Sequence, residues 1–280
     1  MQADNSKKYA VDPGIAALER IAALHWRAPE EERLGGWLLR AGRGFTGRAN
    51  SALAVGDPGV PLDDAIAGVD DWYRARGLPP MIAVPSSLSA VPLPADGEAV
   101  PHPLDNHLAS RHWTPRPGPA FVMVAGTSAV AQPAPSPAGL EFRLAPEPDA
   151  AWLAMYHYRG QELPPAALEL LMSAAWQRFA SIRDPDGSPV AIARLSVASG
   201  WAGITAVEVS AARRRQGLGA LITQAACAEA ARQGVGRVFL QVETTNAAAL
   251  ALYERCGFRY SHRYHYRVAP RHSSRTPAAG

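Results

Sequence analysis

Lysine is almost missing from this chain: of 280 residues only Lys7 and Lys8 carry it, and the remaining cations are arginines. A Walker-type phosphate loop ends in Gly-Lys-Ser/Thr, so that chemistry is excluded wherever glycines cluster downstream. Cysteine is nearly as scarce. Cys227 and Cys256 stand far apart, which excludes a disulfide-dense scaffold, and both read as small buried hydrophobes. No Cys-x-x-Cys occurs, and the eight histidines form no His-Glu-x-x-His or comparable zinc pattern, so no metal is expected. No apolar run reaches the ~18 residues of a membrane span. The segment behind Lys7 and Lys8 has no apolar core of a secretory signal, so a cytoplasmic protein without a membrane partner is expected.

Charge of one sign is also modest. The formal net charge is +3 with a pI near 9.0. The arginines accompany abundant Ala, Gly and Pro, whose codons are likewise GC-rich. Genome composition therefore accounts for them, and the dispersed charge argues against a nucleic-acid partner. A hydrophobic content of 48% indicates a globular protein, and 280 residues suit one large or two small domains.

What is present is a glycine turn between a strand and a helix. Ile204–Val209 reads as a buried strand. Leu218, Leu221, Ile222 and Ala225 recur at helical spacing. Between them lies Arg213-Arg214-Arg215-Gln216-Gly217-Leu218-Gly219-Ala220. Such a turn aims unpaired N–H groups at one point, where the helix dipole favours an anion, and glycine lets backbone approach it closely. A pyrophosphate suits it. The dinucleotide fingerprint Gly-x-Gly-x-x-Gly fits poorly, because Ile222 holds the third glycine position. The pattern [Gln/Arg]-x-x-Gly-x-[Gly/Ala] fits Arg214 to Gly219. Gly234 is placed to end the helix, Val238–Val242 reads as a strand, and Asn246-Ala-Ala-Ala-Leu-Ala-Leu-Tyr253-Glu-Arg-Cys-Gly257-Phe258 follows.

These two segments, in this order, resemble the acetyl-CoA loop and the N-x-x-A-x-x-L-Y-x-x-x-G-F motif of the GCN5-related N-acetyltransferase (GNAT) superfamily. The resemblance covers about residues 140–268. It implies acetyl transfer from acetyl-CoA, as co-substrate, to a primary amine by direct attack. It also implies that Arg214, Arg215, Gln216, Gly217, Leu218, Gly219 and Ala220 hold the pyrophosphate. By the same resemblance, the strand splays so that backbone at Val207 and Val209 receives the pantetheine arm, with the Val209 N–H as oxyanion donor. Tyr253 takes the general-acid position, against the alternative of a core aromatic. Asn246 reads as a helix N-cap and, by resemblance, as a pantetheine contact. Glu208, the one carboxylate on the entering strand, is the candidate base, although a salt-bridged strand glutamate fits equally. The face of the sheet it uses is open from sequence.

Residues 140–268 read as β-α-α-β-β-β-α-β-α-β. Residues 258–268 alternate aromatic with cationic positions, as a half-buried strand would. Residues 126–139 have linker composition, Ser86–Pro101 reads as a surface loop and 269–280 as a disordered tail. In residues 1–125, strands at Gly36–Ala41, Ser51–Val55, Pro80–Val84 and Ala120–Val124 and helices at Leu62–Arg76 and Leu104–His112 partly repeat that order. This suggests a degenerate GNAT-like domain, hence an α/β protein of two tandem GNAT-like domains on a mixed sheet. Its loop, Gly56 to Asp64, has prolines without N–H groups and aspartates that would repel phosphate. Gly42–Ser51, dense in glycine and cation, fits a hairpin turn or a contact with the acceptor or the other half. Trp26, Trp37 and Trp72 read as core anchors. The acceptor, a small-molecule or protein amine, and the choice between monomer and homodimer stay open. A non-catalytic acyl-CoA sensor and an RNA-associated acetyltransferase are the alternatives.

Overall fold

Local signals set most element boundaries in the computed structural model, which describes residues 13–88, 103–131, 139–156 and 163–270. The first half forms α1 (Pro13–His25), β1 (Glu30–Leu34), β2 (Trp37–Ala41), β3 (Ala52–Leu53), α2 (Leu62–Arg74), β4 (Met81–Ser87), α3 (Pro103–Ser110), β5 (Thr114–Pro115), β6 (Ala120–Gly126) and α4 (Thr127–Val130). The second forms β7 (Glu141–Ala145), α5 (Ala150–Met155), α6 (Ala167–Leu171), β8 (Trp176–Arg183), β9 (Pro189–Ala198), β10 (Trp201–Val209), α7 (Leu218–Arg232), β11 (Arg237–Glu243), α8 (Ala247–Arg255) and β12 (Arg259–Val268). Asp149 caps α5 through Trp152 N at 2.8 Å. Gly234, at φ +75°, ends α7 as its position suggests, with Val235 N–H donating to Ala230 O at 3.0 Å.

The strands make one mixed sheet in the order β1-β2-β3-β4-β12-β6-β11-β10-β9-β8-β7, with β5 paired to β12. Two strands cross between the halves. β6 lies between β11 and β12, while β12 runs antiparallel to β4. The ranges 1–125 and 140–268 thus divide the sequence, whereas the hydrogen-bonded sheet is continuous across them. The stretch of linker composition opens with structure. Gly126 ends β6, and Thr127 in α4 donates its hydroxyl to Val235 O at 2.6 Å. Residues 132–138, most of the Ser86–Pro101 loop and the tail beyond Pro270 lie outside the described residues.

Each sheet face has its own apolar layer. On one face α7 and α8 bury Leu218, Ile222 and Tyr253 against Ala191, Ala193, Ile204 and Leu240. α2 and α3 cover Ile82 and Val84 on the same side. The other face carries α1, packed over Met81, Ala83 and Phe239, and α5 with α6 around Trp152, Phe179 and Ile192. Trp26 and Trp37 are core residues, and Trp72 is half-buried against Tyr73.

The alternation expected along β12 is corrected in two ways. A register shift between Tyr260 and His262 moves Tyr260 to the opposite face from Tyr264 and Tyr266. The cationic side goes from exposed at Arg259 to buried at Arg267. Arg267 is buried and forks onto Asp105 of α3 at 2.6 and 2.8 Å, with His265 at 2.6 Å. Burial alone would raise the Asp105 carboxyl, but these donors outweigh it and hold it well below the usual range.

Candidate active site

The site begins where one strand leaves another. β10 pairs in parallel with β11 from Trp201 to Ile204 and no further. β11 continues to Glu243, held on its other side by β6, and β10 continues to Val209, held by β9. The cause of the parting is local. The β10–β9 register shifts between Thr205 and Glu208, and Ala206 adopts φ +53°, so β10 bulges and turns away. Ser210 N–H donates to Val190 O at 2.9 Å, toward β9. By strand alternation the Val209 N–H and C=O therefore point the opposite way, into the gap beside β11.

A single 3₁₀ turn (Ala211–Arg213) then leads into the glycine loop. Arg213 is anchored to Asp184 at 2.5 Å, while Arg214, Arg215, Gln216 and Gly217 are exposed. Gly217 caps α7 in the left-handed region at φ +80°, with open space where a Cβ would stand. Leu221 N–H is the first to find a helical acceptor, Gly217 O at 3.0 Å, so the amides ahead of it form the anion-seeking end of α7. Leu218 is buried, and only its amide can serve a ligand. Gly219 is required by close packing: a Cβ there would meet Leu252 Cδ1 of α8 at 2.7 Å. The loop is thereby fastened to the helix that carries Tyr253.

Tyr253 occupies the α7–α8 face. Its ring lies edge-on to Phe258 at 5.8 Å, and Phe258 N–H donates to Tyr253 O at 3.0 Å across the Gly257 turn. It is a buried core aromatic, and its hydroxyl makes no hydrogen bond among the described residues. Burial first, then Cys256 and Glu208, raise its pKa well above the ordinary value and keep the phenol protonated. Asn246 caps α8, accepting from Ala249 N at 3.1 Å, and leaves its amide NH₂ group on the surface.

The register settles which face Glu208 uses. It stands opposite Ile192, which belongs to the α5–α6 layer, so Glu208 projects from the face opposite α7. The two candidate catalytic groups thus flank the gap from opposite sides of the sheet.

On the Glu208 face, sequence singled out the Gly42–Ser51 loop but none of its partners in the second half. A cavity of about 130 Å³ is lined by Gly47, Arg48, Gln241, Glu243, Tyr264 and Tyr266 among others. The Gly42–Ser51 loop reaches it from the first half. Asn50 ties this loop together, accepting from Gly42 and Gly44 N–H at 2.9 Å and donating to Phe45 and Thr46 O. Arg48 donates to Gln241 Oε1 at 2.8 Å and lies 4.6 Å from the Trp26 ring. His25, at the end of α1, meets Ser196 Oγ at 2.9 Å. Burial and then the Arg194 charge lower its pKa to about 4. One signal was readable: Arg194 is the one charged residue of β9, a mostly apolar strand. Among the described residues no group of three His, Cys, Asp or Glu is placed to hold a metal, and no helix is long and apolar enough to cross a membrane.

This geometry agrees with the comparisons. A family model described as "Probable histone acetyltransferase Rv0428c C-terminal" matches residues 13–267. The chain is 32% identical over 265 residues to "Probable histone acetyltransferase Rv0428c" of Mycobacterium tuberculosis, covering 90% of this chain and 73% of that protein. It is 26% identical over 268 residues to "Uncharacterized N-acetyltransferase YobR" of Bacillus subtilis, covering 91% and 98%. Among solved structures, a tandem GNAT protein from the clavulanic acid biosynthesis pathway has the same fold, with a TM-score of 0.61 at 16% identity over 90% of this chain and 87% of that one. The chain therefore belongs to the Rv0428c C-terminal acetyltransferase family, and its fold is that of a tandem GNAT protein.

Proposed function

We propose that the protein moves an acetyl group from acetyl-CoA to a primary amine by direct attack in a ternary complex, with catalysis confined to the second half of the chain. The observation that carries this reading is the joining of the β10–β11 gap to the open, glycine-capped start of α7. First-turn amides from Gly217 to Ala220, with Arg214 and Arg215 adding charge, would hold the diphosphate. Gln216 completes the loop's rim. The pantetheine arm would enter the gap along Val207 and Val209.

The amine nitrogen attacks the thioester carbonyl carbon, and the Val209 N–H stabilises the developing oxyanion. Glu208, directly or through water, takes the proton that the nitrogen sheds. As the carbon–sulfur bond breaks, Tyr253 gives its phenolic proton to the departing thiolate. Placement of Glu208 and Tyr253 on opposite faces suits this division, since amine and leaving group sit on opposite sides of the reacting carbon. Asn246 is both the α8 cap and a surface amide able to meet the pantetheine arm.

The test is thiol release from acetyl-CoA across amine classes, comparing wild type with Tyr253→Phe. Loss of the hydroxyl should lower turnover by ~10²–10⁴-fold with cofactor affinity retained. Unchanged turnover would refute the acid assignment. Acetyl-CoA binding without turnover on any amine would leave the sensor reading in its place.

A further inference from the structure

Arg194 is fully buried at 0% exposure, and its neighbours do not account for its charge. Its Nε donates to Leu171 O at 2.6 Å, but Nη1 and Nη2 have no hydrogen-bond partner among the described residues. The other buried arginines among the described residues are served differently. Arg267 has the Asp105 carboxylate, Arg183 has Asp149 at 2.6 Å, and Arg40 has Ser51 through both O and Oγ. Among the described residues, the charges that act on Arg194 come from a like charge and a phenol. Arg48 is near enough to depress its basicity, both guanidiniums lie over the Trp26 ring at 5.2 and 4.6 Å, and Tyr156 is the other contributor. Burial first and then Arg48 push its pKa down to about 9.

Two further orphans adjoin it. Thr205, whose Oγ1 has no partner, is the direct cross-strand neighbour of Arg194 and shares its face. His25, whose Nε2 has no partner, bonds Ser196 two positions along β9. Four of the five unpartnered buried side-chain atoms among the described residues thus gather on one patch, facing the side that carries Glu208. A buried cation with a free two-pronged end and a hydroxyl beside it is a receptor for a planar anion.

We propose that Arg194 Nη1 and Nη2, with Thr205 Oγ1, form an acceptor subsite for a carboxylate carried by the amine substrate. The inference rests on the acetyl-transfer reading above. The fork of Nη1 and Nη2 matches the two oxygens of a carboxylate, and Nε, already given to Leu171, holds it in place. Spacing narrows the substrate further. The bulge compresses Thr205 to Glu208 into the span from Arg194 to Ile192 on β9, two positions or roughly 6.6 Å at about 3.3 Å per residue. Amine and carboxylate must therefore be several bonds apart, as in an ω-amino acid, and an α-amino acid is too short. Arg48, a long side chain that also lines the neighbouring cavity, is the element that would swing to admit it.

The test compares 6-aminohexanoate with its amide, 6-aminohexanamide, on the intact protein. Thiol-release kcat/KM should favour the acid at least ~10-fold in wild type, chiefly through KM, and that ratio should collapse toward one in Arg194→Met and shrink in Thr205→Val. Calorimetry with 6-aminohexanoate alone, without acetyl-CoA, reads the subsite even if no amine is turned over, which separates its failure from failure of the acetyltransferase reading. Melting curves guard against misfolding, and Arg194→Met should melt no lower than wild type, because a buried unpaired charge is removed. Equal use and equal binding of acid and amide would overturn the proposal. So would discrimination that survives in Arg194→Met, or a site that responds to chloride but not to carboxylate.

Discussion

The chain makes the same strand–loop–helix crossing twice, and the two versions differ in what their backbones offer. In the second half, Val209 to Leu218 ends in an exposed left-handed glycine, with no acidic residue in the first turn of α7. In the first half, Val55 to Leu62 is closed upon itself. Gly59 N–H is taken by Asp57 Oδ1 at 2.8 Å, Gly36 N–H by Asp57 O at 2.6 Å, and Pro58 and Pro61 have no N–H to give. Arg20 fills the Val55 carbonyl at 3.1 Å, and Asp63 and Asp64 put negative charge into the first turn of α2. One topology can hold an anion or repel it, according to a few residues. The first half contributes something else: α1, the Gly42–Ser51 loop and β6, all of which reach the second half's sheet.

The largest effect should come from separating the halves. A chain ending after α4, or one starting at β7, loses its neighbour for β6 or β12 and should show no cooperative unfolding, forfeiting the ~5–15 kcal/mol typical of a domain. Denaturant unfolding followed by circular dichroism checks this, and a half that unfolds cooperatively by itself would mean the exchanged strands are dispensable.

Next is the α1 contribution. Native His25 resists protonation until about pH 4, whereas the unfolded side chain accepts a proton near 6.5. Stability is therefore complete above pH 6.5 and falls as pH drops toward 4, by up to about 3 kcal/mol at about 1.4 kcal/mol per unit. Urea titrations at pH 7 and 4.5 should show this loss in wild type and much less of it in His25→Gln.

Smaller again is a transplant of the first half's charge. Ala220→Asp places a carboxylate in the first turn of α7, where it suits the helix dipole but opposes a diphosphate. Acetyl-CoA affinity by calorimetry should fall ~10–100-fold, about 1.4–2.8 kcal/mol, with the melting temperature unchanged or raised. An unaltered affinity would show that the loop's sign does not distinguish the two crossings.

The second half was legible because its signals are local. Glycine stops at 234 and 257, the Asn246 cap and the period of β8 to β11 each specify an element without reference to partners. Strand exchange was not legible, since alternation tells which face a residue takes and not which strand lies beside it. α1 was overlooked, although Ile15, Leu18, Ala22 and Ala23 mark a buried stripe. β1, Glu-Glu-Glu-Arg-Leu, is an exposed edge strand with no apolar alternation to read. At the site, the loop and Tyr253 stood out through their motifs. Arg48, Gln241 and Tyr264 come from three distant segments, and only folding brings them around one cavity. The face of Glu208 depended on its register with Ile192, which one strand alone does not contain.

Hydrogen–deuterium exchange with and without acetyl-CoA tests the central claim most directly, because it reads both crossings in one sample. Peptides spanning residues 207–221 should gain protection on addition of acetyl-CoA, and those spanning 55–65 should not change. Protection at 55–65, or none at 207–221, would contradict the assignment of the cofactor cleft to the gap between β10 and β11.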